Sequence, residues 1–112
     1  MGRKFYKTLR YYESVFVLKP TLTEEEVQKV LKDVRDFIQK KGGVILTEED
    51  WGLKQLAYRI QNFMHGRYFV FQIKTENPQL PNELDFFFKI NDNIIRWLNF
   101  QVKEKEVKAI AQ

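Results

Sequence analysis

From Tyr11 to Leu18 the chain alternates in a way that leaves neither face polar. Tyr12, Ser14, Phe16 and Leu18 fall on one side, and Glu13, Val15 and Val17 on the other. A strand that is apolar on both faces belongs in the interior of a sheet. Lys19-Pro20 ends it. The period then lengthens: Val27, Val30, Leu31, Val34, Phe37 and Ile38 follow the three-four spacing of one buried helical stripe. Thr23 and Glu26 stand at capping-box spacing, with Leu22 and Val27 placed to form the hydrophobic staple. Glu24, Glu25 and Glu26 suit the positive end of the helix dipole, and Lys40 and Lys41 the negative end.

Val44 to Leu46 open a second strand. It runs through Glu48-Glu49-Asp50 into Trp51-Gly52-Leu53-Lys54-Gln55-Leu56-Ala57-Tyr58-Arg59-Ile60. Leu56, Tyr58 and Ile60 share one face there, and Gln55, Ala57 and Arg59 the other. A glycine inside such a pattern signals a bulge or a close backbone approach. Two readings stand for this stretch: a long bent strand, or an edge strand with a surface tryptophan. A turn is expected over 61–66, then a central strand over Gly66 to Lys74. Pro78 and Pro81 mark the start of a second helix, since proline is tolerated in a first turn. Leu84, Phe87, Phe88 and Asn91 trace its stripe, and Phe86 is either exposed or packed at the helix edge. The last strand runs from Ile94 to Lys103, with Leu98, Phe100 and Val102 expected inward and Asn99, Gln101 and Lys103 outward.

The order is therefore βαββαβ, the split βαβ or ferredoxin-like arrangement of the α+β class. It implies a four-stranded antiparallel sheet in the order four-one-three-two, with two helices on one face and the other face open. The second strand then lies at an edge and offers unpaired backbone groups to a partner. One domain is expected over residues 10–104, preceded by a basic arm (1–9) and followed by a short charged tail (105–112).

Composition adds less than distribution does. The net charge of +4 permits nucleic-acid contact without demanding it. Arg3, Lys4, Lys7 and Arg10, however, load the first ten residues with cations and no acid. That arm reads either as an RNA contact or as a solvated terminus. With no cysteine there is neither a disulfide framework nor a thiolate metal site. No apolar run reaches signal-peptide or membrane-span length, so a soluble intracellular protein without a membrane partner is expected. The single histidine, His65, is expected in the turn and has no second ligand for a metal. Glu48 and Glu49 point to opposite faces of a strand, which argues against a carboxylate dyad. No phosphate-cradling glycine loop occurs. Enzymatic activity, a cofactor and a small-molecule substrate are accordingly not expected.

The same topology serves RNA recognition by base stacking, which uses the third-strand pattern K/R-G-F/Y-G/A-F-V-x-F/Y. Here His65-Gly66-Arg67-Tyr68-Phe69-Val70-Phe71-Gln72 keeps Gly66, Phe69 and Val70, but lacks the aromatic at the third and eighth places. Stacking on that strand is rejected. Phosphate contacts from Arg3, Lys4, Arg10, Lys54, Arg59 and Arg96 remain. Tyr11 and Tyr12 offer either a stacking surface or strand packing.

Several segments together resemble the bacterial ribosomal protein S six family. They are Arg10-Tyr11-Tyr12-Glu13 leading into Val17-Leu18-Lys19-Pro20, then Glu49-Asp50-Trp51-Gly52, then Leu56-Ala57-Tyr58-Arg59-Ile60, and finally Ile90-Asn91-Asp92-Asn93-Ile94-Ile95-Arg96. The resemblance implies the same fold, no enzyme activity, and a place in the cytoplasm, in the ribosome. It implies binding to the central domain of small-subunit ribosomal RNA as a heterodimer with ribosomal protein S eighteen. By position, Arg10 and Tyr12 match the family's RNA-facing start, Arg96 its arginine after the Asp-Asn corner, and Lys54 a basic position. Leu56, Ala57 and Tyr58 would lie near the protein partner. Arg59 stands where the family favours proline. The family's usual start leaves Arg3 to Lys7 with no role to inherit, and the long acidic extension of some members is missing. The competing class is a non-ribosomal interaction module that acts as a homodimer through its sheet.

Overall fold

A computed structural model describes residues 8–107. Six elements follow in order: β1 (Arg10–Leu18), α1 (Glu24–Lys40), β2 (Gly43–Ile60), β3 (Phe63–Thr75), α2 (Leu80–Lys89) and β4 (Ile94–Val102). The four strands form one antiparallel sheet in the order β2-β3-β1-β4, so β1 and β3 are interior and β2 and β4 are edges. This is the ferredoxin-like fold anticipated from periodicity.

The start of α1 is set by reciprocal hydrogen bonds. The Glu26 amide donates to Thr23 Oγ1 (3.1 Å), and the Thr23 amide donates to Glu26 Oε1 (2.8 Å). Val27, Val30, Leu31, Val34 and Ile38 are buried as the stripe requires. In α2, Leu80, Leu84 and Phe88 are buried, while Phe87 stacks on Phe37 of α1 at 4.4 Å. Asn91 lies beyond the end of α2, and Phe86 points outward with 64% of its surface exposed. Beneath the helices, Phe16 centres the core, with the rings of Phe71 and Phe88 each 5.1 Å away and that of Phe69 at 5.8 Å.

Three expectations are corrected. The first concerns the turn over 61–66. It is only Gln61-Asn62, both with positive φ (49° and 71°), and β3 begins at Phe63. Two consecutive left-handed residues make a tight hairpin turn whose twist matches that of the flanking strands. His65 consequently lies in β3 opposite Gln55.

The second concerns β4. Trp97 packs against Phe88, and Asn99 donates to Asp85 of α2 (2.7 Å), so this row faces the helices. Leu98 and Phe100, opposite Val15 and Glu13, lie on the other face and are exposed. Alternation defines two rows but not which row is covered. A register shift between Val17 and Leu18 brings both Ile95 and Arg96 to the open face.

The third concerns that open face, which is partly covered at both ends. After β4 a turn at Glu104–Glu106 leads to the fully buried Val107, and the Gln72 amide reaches the Glu106 carbonyl (3.4 Å). At the other end, β2 and β3 run on past the end of β1, where Leu18 pairs with Arg67, and curl over the sheet. Leu56 of β2 is buried against Val17 of β1 and Ile95 of β4.

Candidate functional site

The curl starts at Gly52. Its φ is +79° and the β2–β3 register shifts there, so both readings of the stretch hold: a bent strand that is also an edge, with Trp51 on the surface. The Gly52 amide donates to Asp50 Oδ1 (2.8 Å), which pins the bulge. Asp50 Oδ2 in turn accepts from Arg67 (2.7 Å), and Arg67 also bonds Glu24 at the start of α1 (2.8 Å). The guanidinium holds the Asp50 and Glu24 carboxyls below their ordinary range, and the two carboxylates raise Arg67. Arg35 makes a two-bond pair with Glu48 (2.7 and 2.8 Å), and the Trp51 indole donates to Glu49 (2.9 Å). The acidic run beside the hairpin is therefore engaged by other groups. Among the described residues, no carboxylate pairs with Lys54, Arg59 or Arg96.

Further along, Gly66 lets the hairpin close onto β1. A Cβ there would sit 2.3 Å from Val17 Cγ1. Beyond it, Tyr58 crosses to Arg96. The Arg96 guanidinium donates to the Tyr58 hydroxyl (2.9 Å) and lies 5.4 Å from its ring centre. Cation–π attraction and a hydrogen bond thus link the two edge strands across the open face.

The structure divides the expected site residues. Lys54 is exposed opposite Gly66, on the hairpin that carries Tyr58. Arg10 begins β1 opposite Thr75 and donates to the Thr8 carbonyl (3.3 Å). Arg96 lies opposite Val17, seven residues along β1 from Arg10, or about 23 Å at ~3.3 Å per residue. These arginines mark opposite ends of the sheet. Tyr12 is only 8% exposed, under α2 among Ile73, Leu80, Pro81 and Leu84. It shares the row of Phe16 and is almost wholly buried. Arg3 and Lys4 lie outside the described residues. Of the expected partner residues, Ala57 and Tyr58 are exposed, whereas Leu56 turns inward.

Sequence reasoning missed the Tyr58–Arg96 contact, because 38 residues and two sheet edges separate the pair. It also missed the exposed Leu53, Leu98 and Phe100. The alternation of β4 carried the signal for the last two, read with the wrong row inward. No grouping of three or more His, Cys, Asp or Glu suited to a metal occurs among the described residues.

Fold and surface together define a ferredoxin-like protein that presents a strand edge, exposed apolar side chains and unpaired cations, the equipment of a binding protein. The family model described as ribosomal protein S6 matches residues 11–101. The small ribosomal subunit protein bS6 of Aquifex aeolicus is 65% identical over 109 residues, covering 97% of this chain and 99% of that protein. Its counterpart from Helicobacter pylori strain P12 is 39% identical, covering 90% and 71%. The solved 30S ribosomal protein S6 of Thermotoga maritima superimposes with a TM-score of 0.79 at 32% identity, covering 85% of this chain and 89% of that one. The chain belongs to the ribosomal protein S6 family: it is a structural protein of the small ribosomal subunit, and its place is the ribosome, in the cytoplasm.

Proposed function

We propose that the chain binds the central domain of small-subunit ribosomal RNA jointly with ribosomal protein S eighteen, as a heterodimer, and catalyses no reaction. The observation that carries this reading is the outer edge of β2. It is unpaired within the sheet, bears the exposed Leu53, Ala57 and Tyr58, and has the unneutralised Lys54, Arg59 and Arg96 beside it. Such an edge can accept a partner's backbone or side chains, while the cations neutralise phosphates. Arg10 supplies a second phosphate contact at the far end of the sheet, and Arg3 and Lys4 are assigned to phosphate contacts as well. Leu56 supports the partner edge from beneath. Membrane and small-molecule ligands have no part in this reading.

The test is binding of the purified protein to a central-domain RNA fragment at fixed salt, with and without the partner protein. Tight binding only with the partner is expected. Absence of binding in both conditions, with a stable homodimer in sedimentation, would overturn the proposal in favour of a self-associating module.

A further inference from the structure

Resting on that reading, we propose that Tyr58 is a positioning residue for Arg96, and that this pair couples RNA binding to binding of the protein partner. β2 and β4 are opposite edges of the sheet, yet Tyr58 and Arg96 meet at 2.9 Å. The meeting is built into the fold. Bulges between Asp50 and Gly52 and between Gln55 and Ile60 bend the hairpin, Gly66 lets it approach Val17, and Leu56 is buried against Val17 and Ile95.

The chemistry of the pair leaves capacity on both sides. A guanidinium has five N–H donors in a rigid fork, and the Tyr58 hydroxyl takes a hydrogen bond from only one of its nitrogens, Nη1. Arg96 remains exposed, so its other donors can take a phosphate in two-bond geometry. Tyr58 in turn is 62% exposed, on the edge strand that faces the partner. A partner seated on β2 restrains Tyr58, and through the shared hydrogen bond it restrains the guanidinium. Arg96 then meets its phosphate already ordered, with less side-chain entropy left to lose. Linkage makes the effect reciprocal: RNA held by Arg96 strengthens partner binding by the same factor.

The experiment measures RNA affinity with and without the partner protein for the wild-type chain, Tyr58→Phe, Arg96→Ala and the double variant. Tyr58→Phe keeps the ring and removes only the hydroxyl at an exposed position. Its salt slope should match wild type, because no phosphate contact is lost, and its RNA affinity without the partner should fall by less than that of Arg96→Ala. The partner's enhancement of RNA affinity should fall about fivefold or more, the lower range of ordinary coupling. The double variant should lose no more enhancement than Arg96→Ala does. An unchanged enhancement in Tyr58→Phe overturns the coupling while leaving joint binding intact. A wild-type chain without any enhancement overturns both proposals. A loss of RNA affinity in Tyr58→Phe that is the same with and without the partner would also overturn the coupling, since the hydroxyl would then act in RNA binding alone.

Discussion

Gly52 and Gly66 shape the same hairpin for different physical reasons. Gly52 has open space around its Cα, and only its positive φ demands glycine. Gly66 has no such φ, but it leaves no room for a methyl group. Gly66→Ala should therefore destabilise the fold by about 1–3 kcal/mol, the usual penalty of overpacking. It should also loosen the Tyr58–Arg96 contact, because the backbone must retreat from Val17. Chemical denaturation gives the first effect, and the change in partner-dependent RNA affinity the second. The glycine signal at residue 52 was legible in the sequence, since a glycine interrupting a strand pattern means a bulge. At Gly66 only the glycine itself was legible. The neighbour that excludes a side chain comes from β1, nearly fifty residues away.

At the scale of elements, Arg67 ties three of them: β3 carries it, Asp50 at the β2 bulge accepts from it, and so does Glu24 in the first turn of α1. Glu24 and Asp50 have depressed pKa values in the folded chain. Stability from this tie is present above the ordinary carboxylate range and is lost as pH falls through the folded values. Arg67→Gln should be less stable than wild type at neutral pH, and the gap should close in acid. Denaturant titrations of both chains at neutral and acid pH measure this. The capping box and the helical stripe of α1 are legible from spacing, because both are local. β4 shows the limit of such reading. Alternation defines its two rows, but the apolar row of Leu98 and Phe100 looks like the buried one, and only the helices resting on Trp97 and Asn99 decide otherwise.

For the whole molecule, the cations divide into two groups. Arg10 stands at one end of the sheet and Arg96 with Lys54 at the other, about 23 Å apart along ~3.3 Å strand steps. Sites so far apart should act independently. Arg10→Ala and Arg96→Ala should each weaken binding to the RNA fragment and each lower the salt slope by about 1. The double variant should show the sum. Affinity measured across a salt series tests this, and an unchanged slope in either variant removes that residue from the RNA surface.

By itself the sequence determined the element order, the ferredoxin-like topology, the interior place of β1 and β3 and the family, because periodicity, caps and contiguous motifs are local properties of a chain. Tertiary structure alone decided which face of β4 is covered, that Tyr12 is buried beneath α2, that the acidic run is consumed by Arg35, Arg67 and Trp51, and that Tyr58 reaches Arg96. The first two depend on which face of the sheet the helices cover, and the last on how far β2 and β3 overrun β1 and curl across the sheet. That curl is set by bulges and by the space at Gly66, neither of which alternation along a single strand can express.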